Sequence, residues 1–355
     1  MMLAAITSGF PRRSETFVLN ELLALEARGL LGPVFATKPG DGPPLQPGAE
    51  QLLRRVRVLP SVSPSEQACL VARALAGTGI RGVHSFFAHT PAEVAREAAA
   101  QLGVPYGFSV HARDARKVTP PELRSRAAAA ACVVACNADV AKELDTACAD
   151  VRLLPHGVDL RRFRPVPEPS ESPLTVLAVG RLVPKKGFDV LIEAAGRVGP
   201  AFRLRIVGEG PEHERLAARI RSAGVADRVT LEPSVTHDEL PAAFAAAHVF
   251  AAPSVRDSSG DRDGLPNVVL EAMASGRAVV ASDVGAIATA VRHDETGLLV
   301  PPGDADALTA AIERLADGSS LRTRLAKAAR ALVEREFDLH ACTERLARAL
   351  EAAYA

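Results

Sequence analysis

The sequence predicts an α/β protein made of two parallel, doubly wound sheets, and three observations carry that expectation. Short apolar runs rich in β-branched residues alternate with helical stretches along the chain. A Pro- and Ser-rich segment, Pro165 to Pro173, interrupts the alternation, and a second alternation begins after it. Neighbouring parallel strands need a crossover connection, which a helix supplies, so a repeating strand and helix order marks a wound sheet. At 355 residues the chain is too long for one ordinary core and suits two.

In the first half the expected strands are Leu3 to Thr7, Val34 to Thr37, Val56 to Leu59, Val83 to Phe87, Gly107 to His111, Cys132 to Ala135 and Arg152 to Pro155. Helices are expected over Glu15 to Ala27, Pro91 to Leu102 and Asp139 to Leu144. Ser14 can cap the first of these, Glu15 suits its positive end, and Phe17, Leu19, Leu22 and Leu23 should face the sheet. In the second half the strands are Thr175 to Val179, Arg203 to Val207, Val229 to Leu231, Val249 to Ala252, Ala278 to Ser282 and Gly297 to Val300. Beyond Asp304, a capping residue, the amphipathic runs Ala305 to Ala316, Leu321 to Glu336 and Leu339 to Tyr354 predict helices. The expected domains are therefore residues 1–165 and 174–336, with a last helix over 337–355. Ligands of such sheets bind beyond the carboxyl ends of the strands, which predicts a catalytic cleft between the domains.

A composition of 48% hydrophobic residues and a mean hydropathy of +0.09 describe a chain able to bury two cores. The zero formal net charge argues against nucleic acid as a partner. No apolar run reaches the roughly 20 residues that span a bilayer, and no basic region precedes the first strand, so a cytoplasmic protein is expected, with at most peripheral membrane association. Five cysteines, an odd number without a C-x-x-C pair, are expected to be reduced and structural.

Two segments concentrate the chemistry. Pro253 to Gly285 leaves a buried strand, crosses a polar loop and enters a helix at Leu265-Pro266-Asn267, with Pro266 expected at the first helical position. Glu271 lies on an otherwise apolar helix, where a carboxylate must be paired or presented to a polar ligand. Asp263 stands just before the helix. The second segment, Gly180 to Ala194, turns off a strand and carries Arg181 and Lys186, which can converge on a diphosphate; Lys185 competes for that place. Gly208-Glu209-Gly210 has no third glycine at the dinucleotide spacing, which disfavours a dehydrogenase and suggests a close-packed turn before a helix starting at Pro211. Asp261-Arg262-Asp263 could ligate a metal, but cations already available for a diphosphate make one unnecessary, and neither metal nor cofactor is expected.

The run from Asp263 to Glu271, an acid and a glutamate separated by seven residues and continuing G-L-P-N-V-V-L-E-A-M-A, resembles the signature of retaining glycosyltransferases of family 4. G-R-L-V-P-K-K-G-F-D resembles a second hallmark of that family, H-A-R-D at His111 a third, and F-P-R-R-S-E-T-F the opening of its polysaccharide-type branch. The resemblance implies a GT-B fold of two Rossmann-like domains and metal-independent sugar transfer, with retention, from a nucleotide diphosphate donor, UDP or GDP based. It implies catalytic roles for His111, Arg181, Lys186 and Asp263, and donor binding by Gly180, Gly208, Gly264, Leu265, Pro266, Asn267 and Glu271. Arg12, Arg13, Ser14 and Glu15 fall on the acceptor side, which would take a glycan, a lipid-linked or a small-molecule hydroxyl. The chain departs from the pattern at Asp263 (usually Glu), His156 (usually Asn), Ala286 (often Gly) and Thr289 (often Glu). These departures keep two other readings open, a GT-B sugar-nucleotide epimerase and a non-catalytic nucleotide-sugar-binding protein.

Overall fold

A computed structural model describes residues 2–12, 15–43, 45–111, 115, 117–144, 150–170, 173–199 and 202–355. It divides into two units, Met1–Gly157 with Leu339–Ala355, and Val158–Asp338. Among the described residues no helix is long and apolar enough to cross a membrane.

The first unit holds seven parallel strands: β1 (Leu3–Phe10), β2 (Leu31–Pro39), β3 (Val56–Val58), β4 (Gly82–Ser85), β5 (Tyr106–Val110), β6 (Cys132–Ala135) and β7 (Val151–Leu153). Their order is β3-β2-β1-β4-β5-β6-β7, so the winding reverses between β1 and β4. β1 is buried along its whole length because helices cover both faces of a parallel sheet. It runs three residues beyond its expected end, since Gly9 and Phe10 still pair with Lys38 and Pro39 of β2.

The second unit holds β8 (Leu174–Val179), β9 (Phe202–Val207), β10 (Val229–Glu232), β11 (Val249–Ala252), β12 (Ala278–Ser282) and β13 (Leu298–Val300). The order β10-β9-β8-β11-β12-β13 reverses between β8 and β11. Asp304 caps the helix Ala305–Asp317 through the Ala307 amide at 2.8 Å, as expected. Three helix starts fall later than expected: the first helix is Thr16–Ala27, with Glu15 itself in the cap position and making no side-chain cap bond. Pro266 is the residue before the helix Asn267–Ala274, with ψ at 133°, and Pro211 lies in a turn ahead of the helix His213–Ser222.

The Pro-rich segment does not separate the units: the boundary falls at Gly157, and the chain from Val158 onward is tied to the second unit. The Val158 amide donates to the Phe337 carbonyl at 2.8 Å, and Phe163 is buried with its carbonyl held by Arg330 at 2.8 Å. Arg322 pairs with Glu168 at 2.9 Å, and His248 lies 3.1 Å from the Pro169 carbonyl. Proline removes an amide donor but leaves its carbonyl, and the Pro169 carbonyl is the one His248 meets.

The last helix, Leu339–Ala353, belongs to the first unit, where Leu346, Ala347, Leu350 and Tyr354 enter the core formed by Leu3, Leu22 and Leu31. Tyr354 is 1% exposed, and its ring fills the space over two glycines: a Cβ on Gly82 would meet that ring at 2.2 Å, and one on Gly107 its hydroxyl at 2.6 Å. The hydroxyl lies 3.0 Å from His84 Nδ1, and His84 Nε2 lies 2.9 Å from Ser109 Oγ. Burial, aided by the nearby His111, pushes the His84 pKa down to about 3 and keeps the ring neutral. Tyr354→Ala should therefore cost about 3–5 kcal/mol of unfolding free energy in urea titrations, as for other buried aromatic truncations. Tyr354→Phe, which removes the hydroxyl that meets His84 and donates to the Val83 carbonyl at 3.3 Å, should cost about 1–3 kcal/mol. Because the folded pKa lies below the unfolded value of 6.5, the His84 contribution is complete above pH 6.5 and is lost as pH falls from there toward 3. His84→Asn should flatten that part of the stability profile; an unchanged slope would remove His84 as its source.

Candidate active site

In the second unit the loops that leave β8 and β11, the two strands at the reversal, are locked together through their backbones. The Val255 amide donates to the Lys185 carbonyl at 2.8 Å. Gly187, at φ 63°, lies so close to the Pro253 carbonyl that a Cβ would meet its oxygen at 1.9 Å. Only glycine tolerates both this backbone and this approach. Gly208 brings the loop after β9 against the same structure: a Cβ there would sit 1.9 Å from the Gly180 carbonyl oxygen, and the Gly180 amide donates to Val207 at 3.0 Å. On the far side, Gly285 at φ 59° packs on the Asp263 carbonyl and the Ala286 amide donates to Gly264 at 3.2 Å.

This framework gathers charge. Lys186 Nζ lies 2.8 Å from Asp263 Oδ2, and Lys185 Nζ lies 3.0 Å from Asp261 and 3.6 Å from Asp263. Ser254 donates to Asp263 Oδ2 at 2.7 Å. Burial opposes the charge on Asp263, but Lys186, Lys185 and the Ser254 hydroxyl hold its pKa below the ordinary value. Lys185 is the more buried lysine, with a side chain 8% exposed against 15% for Lys186. Arg181 is exposed on the same loop, two residues before Val183, whose amide its carbonyl accepts.

The helix Asn267–Ala274 begins beyond Gly264 and Leu265 without a side-chain cap or an acidic residue in its first turn. Glu271, one turn in, is 5% exposed and meets His237 Nε2 at 3.2 Å. Thr289, where the family pattern often has Glu, turns its hydroxyl onto the Ala286 carbonyl at 2.6 Å. Among the described residues no group of three His, Cys, Asp or Glu side chains is gathered to hold a metal ion.

In the first unit His111, the residue after β5, lies inside a cluster of rings. Its centroid lies 4.5 Å from Phe17, 5.2 Å from Phe87 and 5.0 Å from His156. Phe17 also stacks on His156 at 4.3 Å, so it meets these imidazoles while packing against the core on the sheet as expected. His156 Nδ1 pairs with Glu21 at 2.8 Å. Burial alone would lower the His156 pKa, but Glu21, with Cys136 beside it, raises it well above the ordinary value and the ring stays charged. Arg12 lies 3.9 Å from both Glu15 and Asp41. Burial raises the Glu15 pKa despite Arg12, His111, Lys117 and Lys38 around it. Arg13 and Ser14 lie outside the described residues, as do the Arg and Asp of the H-A-R-D motif.

The structure thus brings Gly180, Lys186, Gly208, Asp263 and Gly264 together at one strand reversal, with Pro266, Asn267 and Glu271 on the next helix or at its start. His111, Arg12 and Glu15 belong to the other unit. Sequence reasoning passed over His237 and Ser254. A lone histidine in a polar turn and a serine after a strand carry no signal until the fold places them against Glu271 and Asp263.

Comparison with known proteins gives this geometry its context. Residues 160–332 match the family of group 1 glycosyl transferases, and residues 14–162 match Glycosyltransferase Family 4. The chain is 41% identical over 172 residues to a putative colanic acid biosynthesis glycosyltransferase, WcaL, of Escherichia coli, covering 47% of this chain and 41% of that protein. It is 40% identical over 185 residues to a GDP-mannose-dependent phosphatidylinositol monomannoside mannosyltransferase of Mycobacterium tuberculosis, covering 47% of each. The match therefore spans less than half the length of these relatives. Among solved structures, the chain superposes on a sucrose-phosphate synthase of Thermosynechococcus elongatus with TM-score 0.80 and 25% identity, covering 99% of this chain and 100% of that one. HepE of Anabaena, in complex with UDP, gives TM-score 0.83 at 20% identity over 99% of both chains. Two wound sheets of the GT-B type and matches that together run from residue 14 to residue 332, each over less than half of the chain, make this chain similar to the group 1 and family 4 glycosyltransferases.

Proposed function

We propose that the protein transfers a sugar from a UDP- or GDP-linked donor to an acceptor hydroxyl with retention of anomeric configuration and without a metal ion. The observation that carries this reading is the Lys186, Lys185 and Asp263 cluster, held at the sheet reversal beside a helix that opens without a side-chain cap. Uncapped first-turn amides and side-chain cations together suit a diphosphate. In this reading Lys186 and Arg181 stabilise the charge that develops as the nucleoside diphosphate leaves, and Glu271 meets the donor ribose. Asp263 and His111 face the transferred sugar. The acceptor attacks from the side the diphosphate leaves, and a diphosphate oxygen takes the acceptor proton, so no enzyme nucleophile is needed.

Arg12, Arg13, Ser14 and Glu15 line the acceptor side in this proposal, and the surrounding Lys38 and Lys117 favour an acceptor that carries negative charge. The relatives named for colanic acid and for phosphatidylinositol mannoside make an exopolysaccharide or lipid-linked acceptor the natural first choice. The deciding experiment incubates the protein with UDP- and GDP-sugars and candidate acceptors, then follows nucleotide release and product configuration by NMR. Net inversion at the transferred carbon, or an epimerised donor with no transfer, would overturn the proposal.

Lys186→Ala and Arg181→Ala should each lower turnover by roughly 10²–10³-fold, the range for a lost transition-state donor. Unchanged kinetics in both would remove the diphosphate assignment. Activity should survive excess EDTA, and loss restored by Mn²⁺ would instead support Asp261 and Asp263 as ligands.

Asp263 is also the counter-ion of two lysines. Asp263→Asn should destabilise the ligand-free protein by roughly 3 kcal/mol, because the partners of a broken buried pair are left uncompensated. A bound diphosphate would replace the missing charge. The rise in melting temperature produced by saturating UDP or GDP should therefore be larger in Asp263→Asn than in the wild type. Equal rises would show that the ligand does not share these cations.

A further inference from the structure

Glu271 is held by a relay of His237, Arg162 and Asp238, residues outside all four stretches that resemble the family. His237 lies in the turn before the helix Leu240–Ala245, and its backbone is fixed on both sides: the Thr236 amide donates to Glu239 Oε2 at 2.8 Å and the Glu239 amide donates to Thr236 Oγ1 at 3.3 Å. Its Nε2 lies 3.2 Å from Glu271 Oε1, and its Nδ1 lies 2.9 Å from Arg162 Nη1. A guanidinium can only donate, so Nδ1 must accept. The imidazole proton is then on Nε2, pointed at the carboxylate. Arg162 is itself anchored by Asp238 at 2.8 Å, and Phe163 packs against the imidazole with ring centroids 5.3 Å apart. Glu271 Oε2 makes no hydrogen bond among the described residues.

We propose that His237 is a positioning residue for Glu271: set in one tautomer by Arg162, it pins Oε1 and leaves Oε2 to accept from the vicinal hydroxyls of a nucleoside. This rests on the reading of Glu271 as the ribose contact. The geometry gives the carboxylate one fixed oxygen and one whose two lone pairs can accept from a pair of vicinal hydroxyls. Without His237 the side chain could turn about its terminal torsion and part of its affinity would go to reorganisation.

The test is calorimetric titration of the full chain with UDP, GDP and inorganic pyrophosphate, in the wild type, His237→Ala, His237→Gln, Glu271→Gln and the His237→Ala/Glu271→Gln double variant. His237→Ala should weaken the preferred nucleotide about 10-fold, as for a hydrogen bond to a charged group, and leave pyrophosphate unchanged. His237→Gln, whose amide can donate to Glu271, should recover affinity to within about threefold of wild type, a rescue that a merely structural role would not produce. The double variant should bind no more weakly than Glu271→Gln alone. Wild-type affinity in His237→Ala with weakened Glu271→Gln would overturn the proposal while sparing the ribose contact. Multiplying losses in the double variant, or equal weakening toward pyrophosphate, would overturn it too. If Glu271→Gln binds both nucleotides normally, the ribose contact itself fails, and the role of His237 fails with it.

Discussion

The candidate site depends on the backbone lock between the loops after β8 and β11. Two lysines and two aspartates can be concentrated in a mostly buried space only if no member is left without a partner, because an unpaired buried charge costs several kcal/mol. The partners come from segments far apart in the chain, so the loops must be held in register by something other than the charges. Gly187 against the Pro253 carbonyl, with the Lys185 to Val255 hydrogen bond beside it, does this through the main chain. The side chains are then free to hold charge. In the proposed reading a diphosphate arriving at the cluster would meet cations already fixed, and would share them with Asp263.

Strand order explains why this happens here. At the reversal between β8 and β11 the connections leave in opposite directions, opening a crevice at the carboxyl ends of the strands. The first unit repeats the arrangement between β1 and β4, and there too side chains crowd the strand ends, the candidate His111 among them. Phe17 comes from the helix after β1, Phe87 from the segment after β4 and His111 from the residue after β5. The two sheets use this topology differently: one reversal collects fixed charge, the other stacked rings.

The two wound sheets were legible because buried parallel strands read as short apolar runs, and β8, β11 and β12 are such runs. Gly180, Lys186 and Glu271 were legible because glycines at strand ends and charges beside apolar helices are unusual enough to demand an explanation. The domain boundary was not. The Pro-rich composition of Pro165 to Pro173 marks irregular backbone, and whether such backbone hangs free or is tied down depends on distant side chains. Arg277, fully buried, donates to the Val166 carbonyl, and Arg322 and His248 reach Glu168 and Pro169. Those contacts have no local trace in the sequence. The same holds for His237, whose role depends on Arg162 and Glu271, 75 and 34 residues away along the chain.

The departures from the family pattern carry a final argument about whether the site is maintained. His156 replaces an asparagine, and it arrives with Glu21 at 2.8 Å to hold its charge and with Phe17 and His111 stacked on its ring. Asp263 is one methylene shorter than the usual glutamate, and it meets two lysines and a serine hydroxyl. A site in decay loses one partner and leaves the other stranded, since nothing selects for the compensating change. Here each of these two altered residues is fully paired, and their burial would be costly to leave uncompensated. Substitutions matched to their surroundings are what retuning for a particular donor or acceptor produces, and this pairing weighs against a non-catalytic remnant.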